Sequence, residues 1–136
     1  GADIINVHIE TCTHLHRIIQ MIKSNNIRAG IALNPGTAIT TLSEVIEELD
    51  QIVIMSVNPG FPGQNFIPKT LNKVSNLRNQ INKYGLNTDI EIDGGINKSS
   101  IKAAVEAGAN ILVAGSAVYN SNASVSDCIH ELKNSI

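Results

Sequence analysis

Aromatic residues are scarce in this sequence, and tryptophan is absent altogether. Only 3% of the residues are aromatic whereas 43% are hydrophobic, so a core must be packed from aliphatic side chains. That hydrophobic content is too high for a disordered chain and is typical of parallel sheets covered by helices. The composition therefore predicts a folded chain, and its 136 residues suit a single domain.

Strong charge and long apolar runs are also lacking. The net charge is −2 and the pI is near 6.1, with no basic cluster, so nucleic acid is not an expected partner. No apolar run approaches the roughly 20 residues of a membrane-spanning helix. The first residues show neither the basic nor the apolar region of a signal peptide. We therefore predict no nucleic-acid partner and no membrane partner.

Cysteine occurs only as Cys12 and Cys128, which are far apart in the sequence and form no CxxC motif. Two isolated thiols are typical of reduced cysteines in a cytosolic protein. The cysteine content therefore predicts a cytoplasmic location.

Short apolar runs rich in β-branched residues alternate with apolar stripes at helical spacing. This alternation of strand and helix, repeated about five times, predicts a parallel sheet with helical crossovers. The predicted strands contain Ile4–Val7, Ile31–Leu33, Ile52–Val57, Ile90–Ile92 and Ile111–Ala114. The stripes of the predicted helices are Leu15–Ile22, Leu42–Leu49, Leu71–Ile81, Ile101–Val105 and Val125–Leu132.

Parallel sheets occur as open doubly wound sheets or as closed barrels. An open sheet usually carries a glycine-rich fingerprint after its first strand, and none follows Val7. A barrel gathers glycines and catalytic residues at the carboxyl ends of its strands. Such residues follow four predicted strands, at Asn34–Gly36, Asn58–Gly60, Asp93–Gly95 and Gly115–Ser116. We therefore predict a barrel.

The beginning of the chain repeats a pattern found near its end. Gly1–Ile5 has nearly the same form as Gly108–Leu112, which ends a predicted helix and enters a strand. The chain also lacks an initiator methionine. We therefore expect a piece of a longer barrel whose first strands precede Gly1.

Glycine-bearing motifs at the predicted strand ends carry the functional signal. Gly60 and Gly63, within Met55–Phe66, permit tight turns whose N–H groups can bind an anion, although a plain Pro/Gly turn explains them equally well. Asp93 could bind a metal or move a proton, or merely cap a turn. The loops containing Asp93–Gly95 and Gly115–Ser116 follow the last two strands, where barrels often bind phosphate.

Together, the segments Met55–Phe66, Glu91–Gly95 and Val113–Ala117 resemble the signature of the ribulose-phosphate 3-epimerase family. Val7–Glu10 and Gly30–Pro35 resemble the ends of the family's fourth and fifth strands. The resemblance covers essentially the whole chain. It implies a (β/α)8 TIM barrel of the ribulose-phosphate-binding type, with residues 1–136 forming about its last five β/α units.

The resemblance also implies a reaction and the residues that perform it. The family interconverts D-ribulose 5-phosphate and D-xylulose 5-phosphate in the pentose phosphate pathway by metal-assisted proton transfer at C3 through a 2,3-enediolate. Asp93 matches a carboxylate that binds the divalent metal (zinc, iron or manganese) and acts as acid/base, and Met55 matches a methionine lining the site. The positions that match substrate contacts, chiefly with the phosphate, are Gly60, Phe61, Pro62, Gly63, Gly94, Gly95, Gly115 and Ser116.

The sequence departs from the family pattern in two ways. The family's other metal ligands, two histidines and an aspartate on strands two and three, have no counterparts here. His8 is expected to be structural, while His14, His16 and His130 are expected at the surface. Pro62 stands where the family usually has glycine, which removes an N–H group from the loop.

A single carboxylate cannot invert a carbon centre between two faces, so we expect the isolated chain to lack full activity. Two alternatives stay open: a non-catalytic half-barrel that binds sugar phosphates, and a relative of allulose-6-phosphate 3-epimerase. Homo-oligomerisation, or association with the absent amino-terminal part, is the expected assembly, because a half-barrel leaves two sheet edges unpaired.

Overall fold

The computed structural model describes all residues, 1–136, and shows a single parallel sheet of five strands. Each strand pairs with the strand that follows it in the chain, so the order is β1-β2-β3-β4-β5. All five predicted strands are present, which confirms the predicted fold pattern. The strands are β1 (Ile4–His8), β2 (Arg28–Leu33), β3 (Gln51–Met55), β4 (Asp89–Asp93) and β5 (Ile111–Val113).

Helices connect or follow the strands at four of the five predicted places. They are α1 (Leu15–Lys23), α2 (Leu71–Tyr84), α3 (Ile101–Glu106) and α4 (Val125–Lys133). The longest of them, α2, ends at Gly85, which adopts a left-handed conformation with φ 65°. None of the four helices has the length and apolar character needed to cross a membrane.

The helix predicted over Leu42–Leu49 is wrong, because β2 and β3 are joined by two short 3-10 turns, Ile39–Leu42 and Ile46–Glu48. The hydroxyl of Thr41 donates to the Ala38 carbonyl, and Ser43 makes the same local bond to the Thr40 carbonyl. Such bonds to the backbone compete with a regular helix. The apolar spacing predicted burial correctly, but the turns provide it.

The outer face of the sheet packs against the helices and forms the main core. Alternate strand residues point outward to this layer, as a pleated strand requires. The core is aliphatic, as the composition predicted. Its fully buried side chains include Ile31, Leu33, Ile52, Ile54, Ile90 and Ile92 from the sheet, and Ile19, Val74, Leu77 and Ile81 from the helices.

The inner face of the sheet is more polar. Ala32, Val53 and Met55 form a small separate apolar cluster there. On the same face the Gln51 amide donates to the Glu91 carboxylate at 2.5 Å, where Glu91 lies two residues before Asp93. This inner face leads to the carboxyl ends of the strands, where the candidate site lies.

Candidate active site at the carboxyl ends of the strands

A cavity of about 410 Å³ opens at the carboxyl ends of β3, β4 and β5. All ten site residues predicted from the sequence line it, and their chemical roles stay predictions. They are Met55, Gly60, Phe61, Pro62, Gly63, Asp93, Gly94, Gly95, Gly115 and Ser116. The other lining residues are Val57, Asn58, Pro59, Gln64 and Val113. They lie in segments that the sequence analysis named, but it gave none of them a site role.

The loop after β3 forms one wall of the cavity. Gly60 and Gly63 have φ values of 141° and 77°, which side chains other than hydrogen rarely allow. The Gln64 amide braces the loop by donating to the carbonyls of Asn58 at 2.6 Å and Phe61 at 2.9 Å. Phe61 lies at the lip, with 68% of its surface exposed. The loop thus has a defined shape although it is largely exposed.

The loops after β4 and β5 form a second wall, which presents free backbone donors. The N–H groups of Gly94, Gly95, Gly115 and Ser116 donate no hydrogen bond to the backbone of the chain. Gly94 and Gly95 have positive φ values of 120° and 66°, which residues with a side chain rarely adopt. The two loops after β4 and β5 therefore provide unpaired donors on one side of the cavity.

The two walls touch each other through glycine. A Cβ atom on Gly94 would lie 2.4 Å from Cγ2 of Val57, and one on Gly95 would lie 2.6 Å from the backbone nitrogen of Phe66. No side chain fits at these distances. The loop after β4 can therefore lie against the loop after β3 only because both positions are glycine.

Asp93 ends β4 between Met55 and Val113, its register partners on the neighbouring strands. Burial raises the pKa of its carboxyl group above the ordinary value for aspartate. The pKa of Glu91 is raised first by burial and then by the charge of Asp93, against a hydrogen bond from Gln51 that lowers it. Asp93 at the cavity, and Glu91 two residues before it on the same strand, therefore keep their protons more readily than exposed carboxyl groups do.

A second polar cluster, which sequence reasoning missed, fixes the loop after β2. The Glu10 carboxylate accepts hydrogen bonds from the N–H of Asn34 at 2.8 Å and from the Thr37 hydroxyl. Lys73 donates to the carbonyls of the same two residues, at 2.8 Å and 2.6 Å. Burial tends to raise the pKa of Glu10. The hydrogen bonds that its carboxylate accepts, chiefly from Thr37 and Asn34, outweigh burial and lower the pKa to about 2. Only long-range contacts reveal this cluster, so no local sequence signal could have found it.

Comparison with known proteins identifies the family. A family model described as the "Ribulose-phosphate 3 epimerase family" matches residues 1–119. The chain belongs to this family. It is 48% identical over 120 residues to the ribulose-phosphate 3-epimerase of Bacillus subtilis, covering 88% of this chain and 55% of that protein. It is 44% identical over 120 residues to the ribulose-phosphate 3-epimerase of Escherichia coli K12, covering 88% of this chain and 53% of that protein.

A plant relative agrees with this assignment, and a solved structure resembles the chain in fold. The chloroplastic ribulose-5-phosphate-3-epimerase of Arabidopsis thaliana is 48% identical over 121 residues, covering 88% of this chain and 43% of that protein. The crystal structure of 3-hexulose-6-phosphate synthase superposes with a TM-score of 0.67 at 18% identity, over 100% of this chain and 63% of that one. That likeness supports the fold, a partial (β/α) barrel. The chain spans about half the length of the curated epimerases it matches.

The residues of this epimerase-family chain do not by themselves fit a metal ion. No three His, Cys, Asp or Glu side chains within residues 1–136 lie close enough together to hold one. His8 contacts Glu10 at 3.2 Å and His16 contacts Glu48 at 3.1 Å, so neither pairs with Asp93. Asp93 could provide one ligand, and a tightly bound divalent metal needs more.

Proposed function

We propose that residues 1–136 form the carboxyl-terminal part of one ribulose-phosphate 3-epimerase barrel domain and carry its phosphate-binding side. The substrate would be a ketopentose phosphate, interconverted between D-ribulose 5-phosphate and D-xylulose 5-phosphate. The observation that carries the proposal is the single cavity in which Asp93 lies beside the unpaired N–H groups of Gly94, Gly95, Gly115 and Ser116. Membership of the epimerase family supports it.

The proposed roles follow from the chemistry of the two walls. The phosphate would accept hydrogen bonds from the N–H groups of the loops after β4 and β5, with the loop containing Gly60 and Gly63 beside it. Asp93 would transfer the proton at C3 on one face of the sugar. Because its pKa is raised, this carboxyl group is closer to the range in which acid/base catalysis is efficient. Met55 would line the site below it.

Inversion at C3 needs a second acid/base group on the other face of the substrate. Glu91 cannot be that group, because it lies on the same strand and the same side of the sheet as Asp93. The second group, and the further ligands of a divalent metal (zinc, iron or manganese), would therefore come from an amino-terminal barrel part or from a second copy of the chain. We include both assemblies in the proposal.

The test is to incubate the purified chain with D-ribulose 5-phosphate in D2O, with zinc or manganese supplied. Two products are measured: deuterium at C3 and D-xylulose 5-phosphate. We expect slow deuterium exchange without epimerisation, lost in Asp93→Asn and retained in Asp89→Asn, a control at the amino end of the same strand. Addition of an amino-terminal half-barrel from a relative should restore epimerisation. No exchange and no restored turnover would refute the catalytic proposal.

A non-catalytic sugar-phosphate-binding half-barrel is the second candidate. The absence of a three-ligand metal cluster within residues 1–136 favours it for the isolated chain. It predicts that calorimetry detects binding of D-ribulose 5-phosphate while neither exchange nor epimerisation appears under any of the conditions above.

A further inference from the structure

Ser56 lies completely buried between the two loops that form the walls of the cavity. Its hydroxyl oxygen is 2.6 Å from the Gly94 carbonyl and 3.0 Å from the Asp93 carbonyl, and its N–H donates to the Asp93 carbonyl at 2.7 Å. Its own carbonyl accepts from the N–H of Ile67 at 2.8 Å. One small residue thus joins the end of β3, the end of β4 and the far end of the loop after β3.

These contacts control the direction of two peptide planes. The carbonyl of Asp93 and the N–H of Gly94 belong to one planar trans peptide, and the carbonyl of Gly94 and the N–H of Gly95 belong to the next. In a trans peptide the carbonyl and the N–H point in opposite directions. When Ser56 holds both carbonyls on its own side, the two N–H groups must point away from it.

The N–H groups directed in this way are the unpaired donors described above. Neither the Gly94 nor the Gly95 N–H donates to the backbone, and both residues line the cavity. The next carbonyl, that of Gly95, is held in a similar manner by the Ser100 hydroxyl at 3.0 Å. The loop after β4 is therefore held from behind by hydroxyl groups while its donors stay free in front.

We propose that Ser56 is a positioning residue that aims the N–H groups of Gly94 and Gly95 at the substrate phosphate. This inference rests on the proposed function, because it assumes that an anion binds at those donors. The purely structural explanation is that the hydroxyl only satisfies buried carbonyls. The two explanations differ in whether phosphate affinity depends on Ser56 beyond its effect on stability.

Thr88 offers a matched control. It is also buried, at 4% exposure, and its hydroxyl donates to the Leu49 carbonyl at 2.8 Å. Leu49 and Thr88 lie just before β3 and β4, so this bond joins the same two strands at the end remote from the cavity. Loss of either hydroxyl removes one buried hydrogen bond between the same elements.

The experiment compares wild type, Ser56→Ala and Thr88→Val by calorimetric titration with inorganic phosphate and with D-ribulose 5-phosphate. Urea denaturation of each variant measures its stability. We expect both substitutions to lower the urea midpoint, whereas only Ser56→Ala weakens the affinity for both ligands, by about tenfold. If Ser56→Ala does not fold, Ser56→Cys takes its place. It should likewise bind both ligands more weakly than wild type and Thr88→Val do.

Equal affinities in Ser56→Ala and Thr88→Val would overturn the positioning role and leave the proposed function intact. A wild-type chain that binds neither ligand would refute the proposed phosphate site, and the positioning role with it. Ligand binding by the wild type therefore tests the proposed phosphate site, and the difference in affinity between Ser56→Ala and Thr88→Val tests the positioning role.

Discussion

Asn6 and Gln51 are hydrogen-bonded to each other across a strand that lies between them. Nδ2 of Asn6 is 3.0 Å from Oε1 of Gln51, although β1 and β3 are both neighbours of β2 and not of each other. The residue of β2 at this level is Gly30, the register partner of both. A Cβ atom on Gly30 would lie 1.7 Å from Oδ1 of Asn6, so the contact exists only because β2 has no side chain there.

This relationship predicts that Gly30→Ala destabilises the chain by about 1–3 kcal/mol. The added methyl group would displace the Asn6 side chain and break its hydrogen bond with Gln51. The free energy of unfolding, measured by urea denaturation, checks the prediction. The double variant Asn6→Ala/Gly30→Ala should lose less free energy of unfolding than the two single variants do in sum. In the double variant the methyl group added by Gly30→Ala no longer meets the Asn6 side chain, and the hydrogen bond to Gln51 is lost only once. Strict additivity would contradict this explanation.

Gly95 and Gly85 permit a comparison at nearly equal φ. Their φ values are 66° and 65°, but a Cβ atom on Gly85 meets nothing within 4 Å whereas one on Gly95 would meet the backbone of Phe66. Gly85→Ala should lower the free energy of unfolding by about 1–2 kcal/mol, because alanine must adopt the left-handed conformation. Gly95→Ala should cost about 2 kcal/mol more, because the loops must separate, and should also abolish phosphate binding. Thermal unfolding and phosphate titration measure both effects, and equal costs would contradict the close packing of the two loops.

Asp93→Asn should raise the melting temperature at pH 7–8, measured in the presence of a metal chelator, while it removes any C3 exchange. Burial raises the pKa of Asp93 in the folded state, so ionisation at neutral pH favours the unfolded chain. The stabilisation by the amide should therefore shrink as the pH falls to where the carboxyl group is protonated in both states. A lower melting temperature for Asp93→Asn than for wild type at pH 7–8 would contradict this prediction. It would show that the folded chain stabilises the ionised carboxylate.

Glu10 should contribute to stability above its unfolded-state pKa and lose that contribution as the pH falls towards about 2. The lowered pKa in the folded state gives this sign, since the ionised form accepts the hydrogen bonds from Asn34 and Thr37. Glu10→Gln should therefore be less stable than wild type at pH 6, with a difference that narrows at low pH. Glu44→Gln, a change at an exposed position, should track the wild type throughout. Urea midpoints measured between pH 6 and pH 2 decide the matter.

The sheet and the position of the cavity could be predicted from the sequence because their signals are local. Strand runs such as Ile52–Met55 are continuous and apolar, and glycine follows them at the ends that parallel strands share. The helix at Leu42–Leu49 could not be distinguished from turns, because burial alone produces the same apolar spacing. Ser56 was overlooked for another reason: its contacts join residues that are 37 and 38 positions apart, which no local pattern reveals.

The consecutive strand order has a consequence for how the chain acquires its structure. Because every strand pairs with the one made just before it, the sheet can grow in the direction in which the ribosome delivers the chain. Each addition closes only the intervening crossover, which keeps the loop-closure entropy of each step small. The folding route would therefore be a processive one, in which β5 joins the sheet after the other four strands and completes the pair of loops that carry the unpaired N–H donors.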